Sequence, residues 1–162
     1  MKIAFGNDHR GVALHARIIE HLKSLGHEVV DFGTNSDASV DYPDFAAKVA
    51  GAVSAKKADL GILVCGTGIG MSIAANKVPG IRAAVCLDEI GAKMARAHND
   101  ANVLALRGTH QDPDLNMKLV DTFLTTPFEG GRHERRVKKI EKLETQHSAL
   151  DTQDSALSAK EK

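Results

Sequence analysis

Leu60-Gly61-Ile62-Leu63-Val64-Cys65-Gly66-Thr67-Gly68-Ile69-Gly70-Met71-Ser72, "LGILVCGTGIGMS", begins as an unbroken apolar run and then places glycine at alternate positions. An apolar run bounded by glycines suits a strand covered on both faces, as parallel sheets require. The glycines lead into a helix, so the stretch reads as strand, turn and helix, with Cys65 at the junction.

Outward from this unit the same grammar repeats. Short runs rich in Val and Ile alternate with longer stretches of helical period, the pattern of parallel strands joined by crossover helices. Strands are expected at about Lys2–Phe5, Glu28–Phe32, Leu60–Val64, Ile81–Cys86 and Asn102–Leu106. A first helix runs from about Gly11 to Leu25, with Leu14, Ile18, Leu22 and Leu25 on one stripe and Gly26 placed to end it. A second follows Asp41-Tyr42-Pro43, where proline suits the first turn, and turns Phe45, Val49 and Val53 inward. A third starts within the glycine stretch, a fourth covers about Asp88–His98, and a fifth opens at Asp112-Pro113 and runs to about Thr125. A last helix follows Gly130-Gly131. The fold class is therefore α/β: a three-layer α/β/α sandwich around a five-stranded parallel sheet, Rossmann-like in its alternation.

A chain of 162 residues, 43% of them hydrophobic, buries one good core, so a single domain over residues 1–147 is expected. Residues 148–162, "ALDTQDSALSAKEK" after Ser148, carry too little apolar periodicity to dock and read as a disordered polar tail. The 21 basic and 21 acidic residues cancel, which gives no field drawing the protein to nucleic acid or to an anionic membrane. Met1-Lys2-Ile3-Ala4-Phe5-Gly6 is too short an apolar run for a secretory signal, and no stretch is long enough to span a bilayer. A cytoplasmic location is the expectation. Cys65 and Cys86 are too few for a disulfide framework.

Ligands of open parallel sheets collect beyond the carboxyl ends of the strands, where the winding direction reverses. With the second strand outside the first and the third on the first strand's other side, Asn7-Asp8-His9 meets Cys65-Gly66-Thr67. The glycine stretch fits no familiar phosphate loop. Counted from Gly66, the last glycine of a dinucleotide fingerprint falls on Met71, and a Walker ending is missing. The arginine of a cysteine phosphatase would also fall on Met71. What is left is a bed of backbone N–H groups at a helix start, made approachable by Gly66, Gly68 and Gly70. Such a bed holds a phosphate or stabilises an oxyanion. Cys65 reads two ways: as a buried packing residue, or as a reactive thiol whose thiolate the amide dipoles favour. Cys86, with no glycine bed after it, keeps the packing reading. Arg132 and Arg136, four apart, share a helix face about 6 Å apart along the axis, a spacing that suits either a dianion or a solvated basic face. The histidines His15, His21, His27, His110 and His147 show no paired metal-ligand spacing.

Five stretches together carry a resemblance: "FGNDHRG" (5–11), "DYPDFA" (41–46), "CGTGIGMSIAANKVPGIRAAVC" (65–86), "HNDANVLAL" (98–106) and "EGGRHERRV" (129–137). In order and spacing, residues 1–145 resemble the type B ribose-5-phosphate isomerases, a family with relatives acting on galactose 6-phosphate and allose 6-phosphate. The resemblance implies an aldose–ketose isomerase with no metal or organic cofactor, acting on a small sugar phosphate. It also implies a homodimer or dimer of dimers with a shared active site. Residue by residue, it makes Cys65 the base that moves a proton between C2 and C1, and His98 the acid–base group that opens the sugar ring. Asn99 and the amides of Gly66, Gly68, Ile69 and Gly70 then face the enediolate oxygens, Thr67 lies beside the sugar oxygens, and Asp8 binds a hydroxyl or the ring oxygen. His9, Arg132 and Arg136 hold the phosphate. The family usually runs Gly-x-Arg after the fifth strand, supplying a further phosphate contact, whereas this chain reads Leu106-Arg107-Gly108-Thr109-His110. Two other readings stay open: a six-carbon sugar phosphate as substrate, or a non-catalytic sugar-phosphate-binding subunit. The presence of Cys65, Thr67, His98 and Asn99 favours an active enzyme.

Overall fold

The alternating runs pair as a single parallel sheet in the computed structural model, which describes residues 1–144. Strands β1 (Lys2–Asn7), β2 (Glu28–Asp31), β3 (Leu60–Cys65), β4 (Ala83–Val85) and β5 (Val103–Arg107) lie side by side in the order β2-β1-β3-β5-β4. Helices α1 (Val12–Ser24), α2 (Tyr42–Ser54), α3 (Ile69–Ala75), α4 (Glu89–Asn99) and α5 (Pro113–Thr125) follow the successive strands, and a sixth, α6, spans residues 132–144. The polar tail expected over residues 148–162 lies outside the described residues.

The chain steps from β1 out to β2, returns past β1 to β3, goes on to the edge at β4, and comes back to β5. Right-handed crossovers put the connecting helix on opposite faces for opposite directions of travel. Two cores result. On one face Leu14, Ile18 and Leu22 of α1 join Leu119, Val120 and Phe123 of α5 over Ile3, Phe5 and Ile62. On the other, Val49 and Val53 of α2 and Met71 of α3 close over Ala4, Leu63 and Cys65. Alternation along each strand decides the face, so Val64 and Cys65 point into different cores.

Helix ends follow local chemistry. Asp88 caps α4 by accepting the Gly91 N–H at 2.6 Å, and Asp112 caps α5 by accepting the Asp114 N–H at 2.9 Å. Leu25 does not continue the buried stripe of α1: it caps the helix and is 47% exposed, because Gly26 at φ +78 turns the chain away. Phe45 is only half-buried, unlike Val49 and Val53. The fourth strand is shorter than the Ile81–Cys86 expectation, since Arg82 N–H bonds the Asn102 side chain at 2.8 Å rather than a neighbouring strand.

Candidate active site

Three strand ends meet at the carboxyl edge of the sheet. Register places Asn7 beside Val64 and Cys65 beside Arg107, so the loops after β1, β3 and β5 emerge together. Backbone bonds fasten them: Asp8 N–H to Val64 O at 3.1 Å, and Gly108 N–H to Cys65 O at 2.7 Å. The Thr109 hydroxyl donates to Gly66 O at 2.8 Å.

Cys65 is 5% exposed, and its Sγ accepts the Gly68 N–H at 3.2 Å. That bond holds the sulfur against the start of α3. It strengthens when the sulfur carries negative charge. Gly68 has φ +78, and a Cβ there would lie 3.2 Å from Leu106 O and 3.3 Å from Ala105 O, so glycine is required by both backbone angle and space. The Thr67 hydroxyl accepts the Ile69 N–H at 3.3 Å, fixing the turn in front of the thiol. Asp8, 4% exposed, accepts the Arg10 N–H at 2.8 Å. His9 Nδ1 accepts the Val40 N–H at 3.3 Å, which leaves Nε2 as the donor of the neutral ring. The structure thus brings together Asp8, His9, Cys65, Gly66, Thr67, Gly68, Ile69 and Gly70.

Tyr42 belongs to this lip although its sequence context suggested only a helix start. A Cβ on Gly70 would come within 2.8 Å of the Tyr42 ring, so the ring lies over the first turn of α3. It is the sole tyrosine of the chain, in one of the five resembling stretches. Arg107 shares the sheet face of Cys65 by register, and its Nε is buried with no hydrogen-bond partner. Arg107, the last residue of β5, thus stands across the strand pair from Cys65, and Thr109 just beyond it reaches the glycine turn.

His98, Asn99, Arg132 and Arg136 lie elsewhere. Helix α4 runs back against the strands, so its end reaches the amino edge of the sheet, where the Arg82 Nε–H bonds Asn99 O at 3.0 Å just before β4. Cys65 is level with Arg107, four residues further along β5 than Val103, which is roughly 13 Å at strand rise. Within one chain the two groups occupy opposite edges. The start of α6 packs at the α4 end, where Glu129 N–H bonds Ala97 O at 3.0 Å. The His98 and His133 rings stack with centroids 4.0 Å apart and planes 5° from parallel. Glu129 Oε2 stands 3.6 Å from His98 Nε2 and 3.8 Å from His133 Nε2. Burial, His98 and Arg132, in that order, hold the His133 imidazole below its ordinary range.

Among the described residues, His98, Glu129 and His133 form the one group whose ligand atoms are close enough for a metal ion. Their geometry suits a cation poorly. Parallel rings aim their nitrogen lone pairs side by side rather than at one point, and His133 Nε2 already accepts the Arg132 Nε–H at 3.3 Å. At the other cysteine, burial and then the Asp88 carboxylate push the Cys86 thiol up to about 11, consistent with an inert packing residue.

Residues 3–140 match the Ribose/Galactose Isomerase family model. The chain is 49% identical over 143 residues to ribose-5-phosphate isomerase B of Escherichia coli strain K12, covering 88% of this chain and 96% of that protein. Among solved structures, ribose-5-phosphate isomerase B of Clostridium thermocellum is similar with a TM-score of 0.89 at 54% identity, covering 91% of this chain and 99% of that one. The Mycoplasma genitalium enzyme, solved with bound ribulose 5-phosphate, is similar with a TM-score of 0.85 at 49% identity, covering 89% and 96%.

Proposed function

The chain belongs to the ribose/galactose isomerase family, and on that premise we propose how its residues divide the chemistry of an aldose–ketose isomerase. The reaction interconverts ribose 5-phosphate and ribulose 5-phosphate, as the names of its relatives indicate. Moving a carbonyl between C1 and C2 requires a base for a carbon-bound proton and a stabiliser for the enediolate.

Cys65 is that base. As thiolate it takes the proton from C2 of the open-chain aldose; the C2–H electron pair forms the C1–C2 double bond, and negative charge passes to O1. The thiol then returns the proton to C1 as the O2 proton moves to O1, leaving the ketose. Amides of Gly66 to Gly70 and the Asn99 side chain face the oxyanion, and Thr67 and Asp8 hold hydroxyls. His98 opens the ring before isomerisation. His9, Arg132 and Arg136 take the phosphate. The bond from Gly68 N–H to Cys65 Sγ is the observation that carries this assignment, because it fixes a buried sulfur at the mouth of an amide bed.

A proton-transfer group works within about 3 Å of its target. His98 and Asn99 sit at the edge opposite Cys65 in their own chain, so we assign them, with Arg132 and Arg136, to the site of a second copy. Exposed Ile69 and Ile73, 52% and 56% accessible and one turn apart on α3 beside the thiol, give that copy an apolar surface to cover. An isologous pair then has two equal sites, as a homodimer or within a dimer of dimers. Free thiols at Cys65 and Cys86 accord with a reducing, cytoplasmic setting.

The direct test is exchange at C2. In heavy water the enzyme is expected to wash deuterium into ribose 5-phosphate at C2, and Cys65→Ser to lose that exchange. A protein that binds the sugar phosphate yet exchanges nothing would make it a binding subunit. Faster exchange with allose 6-phosphate or galactose 6-phosphate would move the substrate to six carbons.

A further inference from the structure

We propose that His133 is a positioning residue that ties the ring-opening group, His98, to the phosphate-binding Arg132. The proposal rests on the roles given to those two residues above. His133 itself has no place in that assignment, and its side chain touches both.

His133 is 6% exposed on the first turn of α6, and Val137, one turn on, is buried as well. One face of the ring lies flat on His98, 4.0 Å between centroids. Its edge nitrogen, Nε2, accepts the Arg132 Nε–H at 3.3 Å. An imidazole nitrogen accepts only if it carries a lone pair, so the ring is neutral with its proton on Nδ1. The net balance agrees: burial, then His98 and Arg132, oppose a positive charge on His133 and outweigh the nearby Glu129 carboxylate, which favours one.

Each contact has a consequence for a neighbour. The His98 side chain is 35% exposed and would turn about its own bonds without a platform; a parallel ring fixes its plane. The Glu129 carboxylate stands near both Nε2 atoms at 3.6 and 3.8 Å, beyond hydrogen-bond length. With His133 neutral, that charge is left to His98. Arg132, exposed at the helix start, has its Nε–H engaged by His133, which leaves its two terminal nitrogens as a fork for phosphate oxygens. A residue that only filled space would need neither a flat face nor an acceptor at its edge.

The two contacts separate by mutation in the full-length enzyme. His133→Phe keeps a ring on His98 and removes the acceptor; His133→Asn keeps an acceptor and removes the ring. His133→Phe is expected to raise KM for ribose 5-phosphate, and the inhibition constant of inorganic phosphate with it, about tenfold while kcat stays within about twofold. His133→Asn is expected to lower kcat on ribose 5-phosphate about tenfold, with KM within about threefold and turnover of open-chain ribulose 5-phosphate near normal. Each variant decides on its own should the other fail to fold. KM and kcat moving together on both substrates, in step with a lower Tm, would make His133 purely structural and overturn the proposal, as would unchanged kinetics. His98→Asn is the control: equal losses on both substrates refute its ring-opening role, whereas a selective loss there with no split at His133 refutes the coupling alone.

Discussion

Alanine placed in turn at the three glycines of the bed separates backbone necessity from ligand space. At Gly68 the new side chain enters a backbone with φ +78, and its Cβ comes to 3.2 and 3.3 Å of two carbonyl oxygens in β5. Left-handed backbone costs a non-glycine residue about 1–2 kcal/mol. Crowding a packed core adds about 1–3 kcal/mol, and the stiffer unfolded chain returns about 0.4–1 kcal/mol. Leu106 and Ala105 are fully buried and cannot retreat, so Gly68→Ala is expected to lose about 3 kcal/mol, or about 6–12 °C in Tm for a chain of this size. The displaced Gly68 N–H also releases Sγ, and kcat should fall about tenfold or more. At Gly66 the nearest atoms to a new Cβ are 3.7 and 3.9 Å away, ordinary contacts, so Tm should hold while kcat/KM falls because a methyl group stands in the ligand's path. At Gly70 the obstacle is the Tyr42 ring at 2.8 Å, itself 41% exposed and able to swing aside, and helix propensity favours alanine there. Differential scanning fluorimetry and steady-state kinetics on the three variants give the comparison. A Gly68→Ala protein that melts within about 1 °C of its parent and keeps its turnover, or a Gly66→Ala protein equally destabilised, would refute the reasoning.

Cys65→Ser, too weak an acid to supply a comparable base, should lose about 100-fold or more in kcat with KM little changed, whereas Cys86→Ser should turn over like the parent. Alkaline stability follows Cys86: the unfolded thiol ionises from about 9.0, the folded one only near 11, so the folded state loses stability as pH rises through that window, and Cys86→Ser should flatten the slope in melts taken from pH 8 upward. In acid the sign reverses for His133. Its folded pKa lies below the ordinary 6.5, so the unfolded chain takes the proton first and stability falls as pH drops below 6.5; His133→Phe should reduce that loss.

Much of this was legible in the sequence because the signals are local. An apolar run ending in alternate glycines can hardly be anything but a buried strand turning into a helix, and the neighbouring positions of β1 and β3 follow from winding direction. The order of the last two strands was not legible: Ile81–Cys86 and Asn102–Leu106 are equally short and apolar, and their pairing is decided by contacts far apart in the chain. Leu25 kept the helical spacing but lost the helix, since Gly26 ends it first. Tyr42 was hidden by its own context, where Asp41 and Pro43 speak for a helix start and nothing speaks for a ring over Gly70. The family's motifs identify Cys65 and His98 equally well, yet spacing in sequence says nothing of the antiparallel run of α4 that sends them to opposite edges. His133 was overshadowed by the arginine pair that flanks it.

The central claim is that one working site draws its base from one chain and its ring-opening and phosphate groups from another. Cys65→Ala and Arg136→Ala proteins, each nearly inactive alone, are unfolded together in equal amounts and refolded. Random pairing makes half the dimers mixed, and each mixed dimer has one site with both defects and one with neither, so activity should return to about a quarter of the wild-type value. Mixed dimers visible by mass spectrometry that remain inactive would show that the arginine serves its own chain's cysteine, and would contradict the shared site.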